Sequence, residues 1–61
     1  MEEKAIIGRL EKNPKGLSIT ELVNLTKLSR SLVRILIARL EGTGKVSMRK
    51  VGMAKLYCLN N

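Results

Sequence analysis

Apolar residues recur at helical spacing in three segments of the chain and then alternate with polar residues in its last third. In the first segment Ile6 and Leu10 lie four positions apart, which predicts a helix over residues 2–12. Glutamates at its start and a lysine at its end complement the helix dipole. The Asn-Pro-Lys-Gly run at residues 13–16 predicts where this helix stops, because proline lacks an amide donor and glycine permits a positive φ.

A capping box marks the start of a second, shorter helix. Ser18 and Glu21 have the spacing in which each side chain accepts a hydrogen bond from the other residue's backbone amide. Leu17 and Leu22, on either side of the box, are placed to form a hydrophobic staple. The buried side is predicted to consist of Leu22, Val23 and Leu25. The pattern predicts a helix of about two turns that ends near residue 26 or 27.

A third helix follows after a tight turn. Ser29 is the predicted N-cap, and the helix is expected to run to about Glu41, before the glycines at positions 42 and 44. The residues that fall within one arc of about 100° and form the predicted buried face are Val33, Leu36, Ile37 and Leu40. The opposite arc holds Ser31, Arg34, Ile35 and Ala38, with Arg30 and Arg39 at its flanks. The sequence therefore predicts an amphipathic helix with a basic outer face.

The rest of the chain has the two-residue period of β-strands. Residues 45–50 predict a half-buried strand with Val46 and Met48 inward, residues 51–53 a hairpin tip, and residues 54–59 the returning strand. Tyr57 is expected to pack this strand on the helices, and the segment around Leu17 to add a short third strand. The pattern predicts one α+β domain over residues 1–61, with three helices followed by a β-hairpin.

The order of these elements, and several residues within them, are similar to those of a known protein family. The segments that carry the resemblance are Leu17–Val23, Leu28–Val33, Leu36 with Leu40–Glu41, Gly44–Val46 and Tyr57–Leu59. Over nearly the whole chain the sequence is similar to the winged helix-turn-helix regulators common in archaea and bacteria. The resemblance implies a winged-helix fold, binding to double-stranded DNA and a role in transcription regulation. It is more specific for the fold than for the function, because winged helices also bind RNA and proteins.

Charge favours a polyanionic partner. Twelve Lys and Arg residues stand against five Glu residues, which gives a net charge of +7 in 61 residues. Such an excess favours nucleic acid first and an anionic membrane surface second. Membrane-surface binding by the third helix is the weaker hypothesis, because its apolar stripe is needed for the core.

The residues needed for catalysis or for a structural metal are absent. The chain has one cysteine, Cys58, and neither histidine nor aspartate, so it offers no zinc site and no disulfide within the chain. The five glutamates are dispersed, and no nucleophile is placed beside a base. We therefore predict a protein that is not an enzyme, without cofactor, metal or small-molecule ligand. No apolar run could span a membrane, and the start lacks the apolar core of a signal peptide, which predicts a cytoplasmic, nucleoid-associated protein.

In a helix-turn-helix the second helix of the motif enters the major groove, with its N-terminal part near the base edges. On this chain the resemblance assigns that part to Arg30 and Arg34, which can bind guanine bidentately, with Ser29 and Ser31 in support. Ile35 faces outward and suits either a thymine methyl group or a protein interface. The other reading of the arginines is a solvated helix face.

The hairpin adds further cations. Arg49 and Lys50 before its tip and Lys55 after it can reach the DNA backbone or the minor groove, and Lys27 in the turn is a further phosphate ligand. The same hairpin cations also suit protection of a strand edge against aggregation. The remaining cations, Lys4, Arg9, Lys12 and Lys15, are interpreted as ordinary solvated charge.

Two other partners stay open at the level of sequence. The chain also resembles a winged-helix small-subunit ribosomal protein of archaea and eukaryotes, although it lacks the lysine-rich N-terminal extension of that family. A protein-docking adaptor that uses Ile7, Leu32 and Ile35 is the other alternative. Either a monomer or a weak homodimer through the first helix is compatible with the pattern.

Overall fold

The computed structural model describes residues 2–60, which form three helices followed by an antiparallel hairpin. The elements are α1 (Glu2–Glu11), α2 (Ile19–Thr26), α3 (Arg30–Gly42), β1 (Val46–Val51) and β2 (Ala54–Leu59). The predicted α+β winged-helix architecture is confirmed in the type and order of its elements. Each boundary lies within one residue of the position predicted from the sequence.

Serine caps fix the starts of α2 and α3. Ser18 Oγ accepts a hydrogen bond from the backbone amide of Glu21 at 3.2 Å, and Glu21 Oε1 accepts one from the amide of Ser18 at 2.9 Å. Ser29 Oγ accepts from the amide of Leu32 at 3.2 Å. These bonds satisfy amides that a helix leaves unpaired in its first turn, so the capping box and the second cap act as predicted.

The turn between α2 and α3 is short and held by its own hydrogen bonds. Lys27 ends α2 in the left-handed conformation, at φ 63°. Thr26 Oγ1 donates to the carbonyl of Leu22 at 2.6 Å and accepts from the amide of Leu28 at 3.3 Å. Because glycine is the usual residue at such a φ, a lysine here is mildly strained. The turn therefore fixes the angle between the two helices of the motif.

The core is entirely aliphatic. Its buried residues are Ile6, Leu10, Leu17, Leu22, Val33, Leu36, Ile37, Leu40 and Val46. The four inward residues predicted for α3 and both residues of the predicted staple are among them. Leu25, predicted to be buried, is instead 40% exposed. The inward side of α2 is centred between Leu22 and Val23, and at 100° per residue Leu25 falls outside it.

The sheet is anchored to the helices at its base. β1 pairs with β2 from Val46↔Leu59 to Val51↔Ala54 in a two-stranded sheet. In place of the predicted short third strand, Leu17 makes only an isolated antiparallel bridge to Tyr57. Tyr57 is half-buried and packs against the core, as predicted. A two-residue turn connects the strands, with Gly52 at φ 61°, as its first position requires.

The outer part of the hairpin extends beyond the core. Val46 is the one buried residue of β1, whereas Met48 is 42% exposed. The prediction that Met48 would be inward and half-buried is therefore wrong. It assumed a helix beneath the whole strand, but the three-helix core ends near the base of the hairpin. The distal half of the hairpin is consequently solvated on both faces and available for contacts outside the chain.

Gly16 is the glycine whose replacement should damage the fold most clearly. It has a φ of +101°, and a Cβ built on it would lie 2.7 Å from Cys58 Sγ and 3.2 Å from the Tyr57 carbonyl oxygen. Gly16→Ala is expected to lower the free energy of unfolding by about 2 kcal/mol, because it adds backbone strain to a steric clash beside the Leu17–Tyr57 bridge. Chemical denaturation monitored by circular dichroism measures this.

A second glycine supplies the control for that substitution. Gly8 lies within α1, and a Cβ added to it meets nothing within 4 Å. Gly8→Ala is expected to raise the free energy of unfolding by about 0.5–1 kcal/mol, because alanine is the better helix former. Equal effects of the two substitutions would contradict the close approach at Gly16.

Candidate nucleic-acid interface

An open cleft separates the outer side of α3 from the hairpin. Its volume is about 460 Å³, and its walls come from the start of α2, one side of α3 and the distal part of the hairpin. Its basic lining residues are Arg30 and Arg34 from α3 and Lys55 from β2. The fold thus brings together cations that are separated by up to 25 positions in the sequence (from 30 to 55).

The two arginines occupy successive turns of α3 on the side that borders the cleft. Both are exposed, as the predicted outer face requires. Arg30 Nη1 donates a hydrogen bond to Thr20 Oγ1 at 3.3 Å. This bond holds the Arg30 guanidinium beside the first turn of α2, whereas Arg34 lies one turn further along α3. The α3 cations are therefore distributed along the wall of the cleft.

Lys50 and Lys55 form a like-charged pair across the hairpin. They are direct partners in the β1–β2 register, so they lie on the same face. The amide and carbonyl of Tyr57 bond to Leu17, which makes Met48↔Tyr57 a non-hydrogen-bonded pair of the hairpin. Such pairs alternate along an antiparallel ladder, so Lys50↔Lys55 is one as well, with Cα atoms about 4.5 Å apart. Two lysine side chains that start from such neighbouring backbone positions can both reach one anion above this face.

Arg49 lies apart from this group. It precedes Lys50 in β1 and pairs with Leu56, so it occupies the opposite face of the hairpin. The prediction from the sequence placed Arg49, Lys50 and Lys55 together as one set of hairpin cations. The strand period separates them, and Lys50 and Lys55 share the face on the cleft side. Lys27 is exposed at the end of α2 and does not line the cleft.

The remaining predicted contacts lie on the outer surface of α3. Ser29, Ser31 and Ile35 are all exposed, and Ile35 is 52% exposed despite its size. The bond from the Leu32 amide occupies an acceptor position of the Ser29 hydroxyl, whose proton remains able to bond an anion. These residues therefore continue the basic face along the solvent side of the helix.

Eight of the eleven residues that line the cleft were not predicted as part of the site, and three of these eight bear on its chemistry. Thr20 positions Arg30, Met53 extends from the hairpin tip with its side chain fully exposed, and Glu41 adds a carboxylate at the far end of the cleft. No spacing rule connects a threonine with an arginine ten positions later, because that contact depends on how α2 and α3 cross. The charge of Glu41 opposes the cations locally, so the basic end of the cleft lies nearer the start of α3.

Residues 2–60 offer neither a three-ligand metal site nor a membrane-spanning helix. No group of three His, Cys, Asp or Glu side chains in this range could hold a metal ion. Within the same range no helix combines the length and the apolar character needed to cross a membrane.

Comparison with solved structures identifies a close structural relative. The crystal structure of a predicted DNA-binding transcriptional regulator from E. coli superposes with a TM-score of 0.85, at 30% sequence identity over 93% of this chain. The chain spans 59% of the length of that protein. No family model matches the chain, and no curated protein matches it. The resemblance drawn from the sequence is confirmed: residues 2–60 form a winged helix, similar in structure to this regulator.

Proposed function

We propose that the chain binds double-stranded DNA and acts as a small transcriptional regulator or nucleoid-associated protein in the cytoplasm. In this proposal α3 enters the major groove, and the hairpin, the wing of the fold, contacts the backbone or the minor groove. The observation that supports it most directly is the convergence of Arg30, Arg34 and Lys55 on one open cleft. The E. coli relative, a predicted DNA-binding regulator, points to the same partner.

The dimensions of α3 suit a B-form major groove. That groove is about 12 Å wide and 8.5 Å deep and admits one helix. The 13 residues of α3 correspond to a length of about 20 Å. On its outer face Ser31 and Ala38 are small, so the helix backbone can approach the base edges. Arg34 can then reach the acceptors of a guanine, while the wing lies beside the groove.

The charges of the wing suit a phosphate backbone. Lys50 and Lys55 repel each other when no anion is present, and phosphate oxygens relieve that repulsion. Backbone contacts of this kind fix position without reading sequence. The wing is therefore assigned to affinity alone, whereas the exposed face of α3 contributes both phosphate neutralisation and base recognition.

The same geometry disfavours RNA as the principal partner. An A-form helix has a deep and narrow major groove that does not admit α3. Single-stranded RNA is usually bound by exposed aromatic side chains, and the one aromatic residue, Tyr57, is half-buried against the core. Duplex DNA thus fits this surface better than either form of RNA.

The test is the combined substitution Arg30→Ala and Arg34→Ala, with Lys4→Ala and Arg9→Ala as the control. Each pair lowers the net charge from +7 to +5 (7 − 2), but Lys4 and Arg9 lie on α1, outside the cleft. We expect the cleft pair to weaken duplex DNA binding at least tenfold, because each groove arginine contributes about 1–3 kcal/mol. The control pair should weaken binding less than threefold, since α1 lies outside the proposed footprint. Fluorescence anisotropy with a labelled duplex gives both dissociation constants.

Parallel titrations with a structured RNA of the same length complete this test. We expect duplex DNA to bind more tightly than the RNA. Tighter binding of the RNA would overturn the assignment to DNA. Equal losses in the two double variants would show that net charge, and not the cleft, determines binding. An adaptor that docks a protein would bind neither nucleic acid at low salt.

A further inference from the structure

α3 carries one large aliphatic side chain on its outer face. Ile35 is 52% exposed, whereas the other isoleucine of the helix, Ile37, is buried in the core. Helical side chains lean towards the preceding turn, so Ile35 lies above Ser31 at i−4. Because Ser31 is small and Ala38 at i+3 is also small, neither neighbour shields the isoleucine. Its i−3 neighbour Leu32 is half-buried against the core, so Ile35 is the large apolar side chain of α3 that is mostly exposed.

The surroundings of Ile35 are basic rather than apolar. Arg34 precedes it and Arg39 lies one turn further along, and both are exposed. Stable protein interfaces bury about 800 Å² on each partner and are depleted of charge at their centres. A lone isoleucine between arginines does not form such a centre. A better partner for this surface is a polyanion that also presents an apolar group to the outer face of α3.

The major groove of DNA presents one apolar group of this kind, the C5-methyl group of thymine. On the basis of the proposed function, we infer that Ile35 is a specificity-determining residue that contacts a thymine methyl in the major groove. Arg30, Arg34 and the wing cations hold α3 in the groove, and Ile35 favours thymine over bases without the methyl. Neither uracil nor cytosine carries this methyl group. Because RNA contains uracil in place of thymine, a preference of Ile35 for thymine also favours DNA over RNA.

The test removes the methyl group from the DNA and the isoleucine from the protein. The probes are an alternating dA–dT duplex and the same duplex with dU in place of dT. Burial of one methyl group corresponds to about a fourfold change in affinity. We expect the wild-type chain to bind the dT duplex about fourfold more tightly than the dU duplex. We expect Ile35→Ala to bind the two duplexes equally.

Leu25→Ala is the matched control. It also removes an exposed aliphatic side chain, at 40% exposure, but from α2 and not from the outer face of α3. This variant should keep the fourfold preference for thymine. Because the comparison is a double-mutant cycle, any general effect of uracil on duplex shape cancels between wild type and variant. Circular dichroism establishes that both variants remain folded.

The outcomes separate this inference from the proposed function. Equal binding of both duplexes by the wild type, with affinity that still falls with salt, would overturn the role of Ile35 and leave DNA binding intact. A preference of the same size in Ile35→Ala as in the wild type would also overturn it. Sedimentation that changes with Ile35→Ala would assign the side chain to contact with a second copy. Failure of the wild type to bind these duplexes and a mixed-sequence duplex that contains guanine would overturn the proposed function itself.

Discussion

Replacement of Leu22 by alanine is expected to lower the free energy of unfolding by about 2–5 kcal/mol. Leu22 is fully buried, at 0% exposure, and it is a member of the aliphatic core that joins α2 to the other helices. Truncation of such a leucine costs about 2–5 kcal/mol. A chain of this length has a total stability of about 3–9 kcal/mol. The loss is therefore about half of the total stability at the middle of the two ranges.

Urea denaturation monitored by circular dichroism measures this effect. Leu25→Ala is again the control, because it makes the same chemical change at a position that is 40% exposed on the same helix. It should lower the free energy of unfolding by less than about 1 kcal/mol. Similar losses for the two variants would contradict the placement of the core on the Leu22 side of α2.

The features that could be predicted from the sequence are those that depend on local chemistry. The Ser18–Glu21 capping box, the Ser29 cap and the glycine-containing turns set the ends of the helices through contacts within a few residues. The buried face of α3 followed from its period, because one helix repeat determines which side chains share a face. The outward placement of Arg30 and Arg34 followed from the same repeat.

The features that could not be predicted depend on how distant elements pack. Met48 has the sequence pattern of an inward strand residue, but no helix lies beneath it. Arg49 and Lys50 are neighbours in sequence and lie on opposite faces of the hairpin. The bond between Arg30 and Thr20 arises only from the crossing of α2 and α3. The cleft itself is a product of this packing. Its basic residues could each be predicted as contacts, but the cleft that they line together could not.

The central claim is that the α3 arginines and the wing lysines act together as one phosphate-binding surface. Four cations meet this description: Arg30, Arg34, Lys50 and Lys55. Lys27, in the turn before α3, lies outside the cleft and would add a fifth phosphate contact. Arg49 is left out because it lies on the other face of the hairpin. Each cation that neutralises a phosphate releases condensed counterions, which makes affinity fall as salt rises.

The most direct test is the dissociation constant of the wild-type chain for duplex DNA, measured over a range of monovalent salt. Four or five phosphate contacts give a slope of about −3.6 to −4.5 for log affinity against log salt. A fourfold rise in salt should therefore weaken binding by roughly 150- to 500-fold. A slope near zero would contradict the account, because the cleft cations would then contact no phosphates.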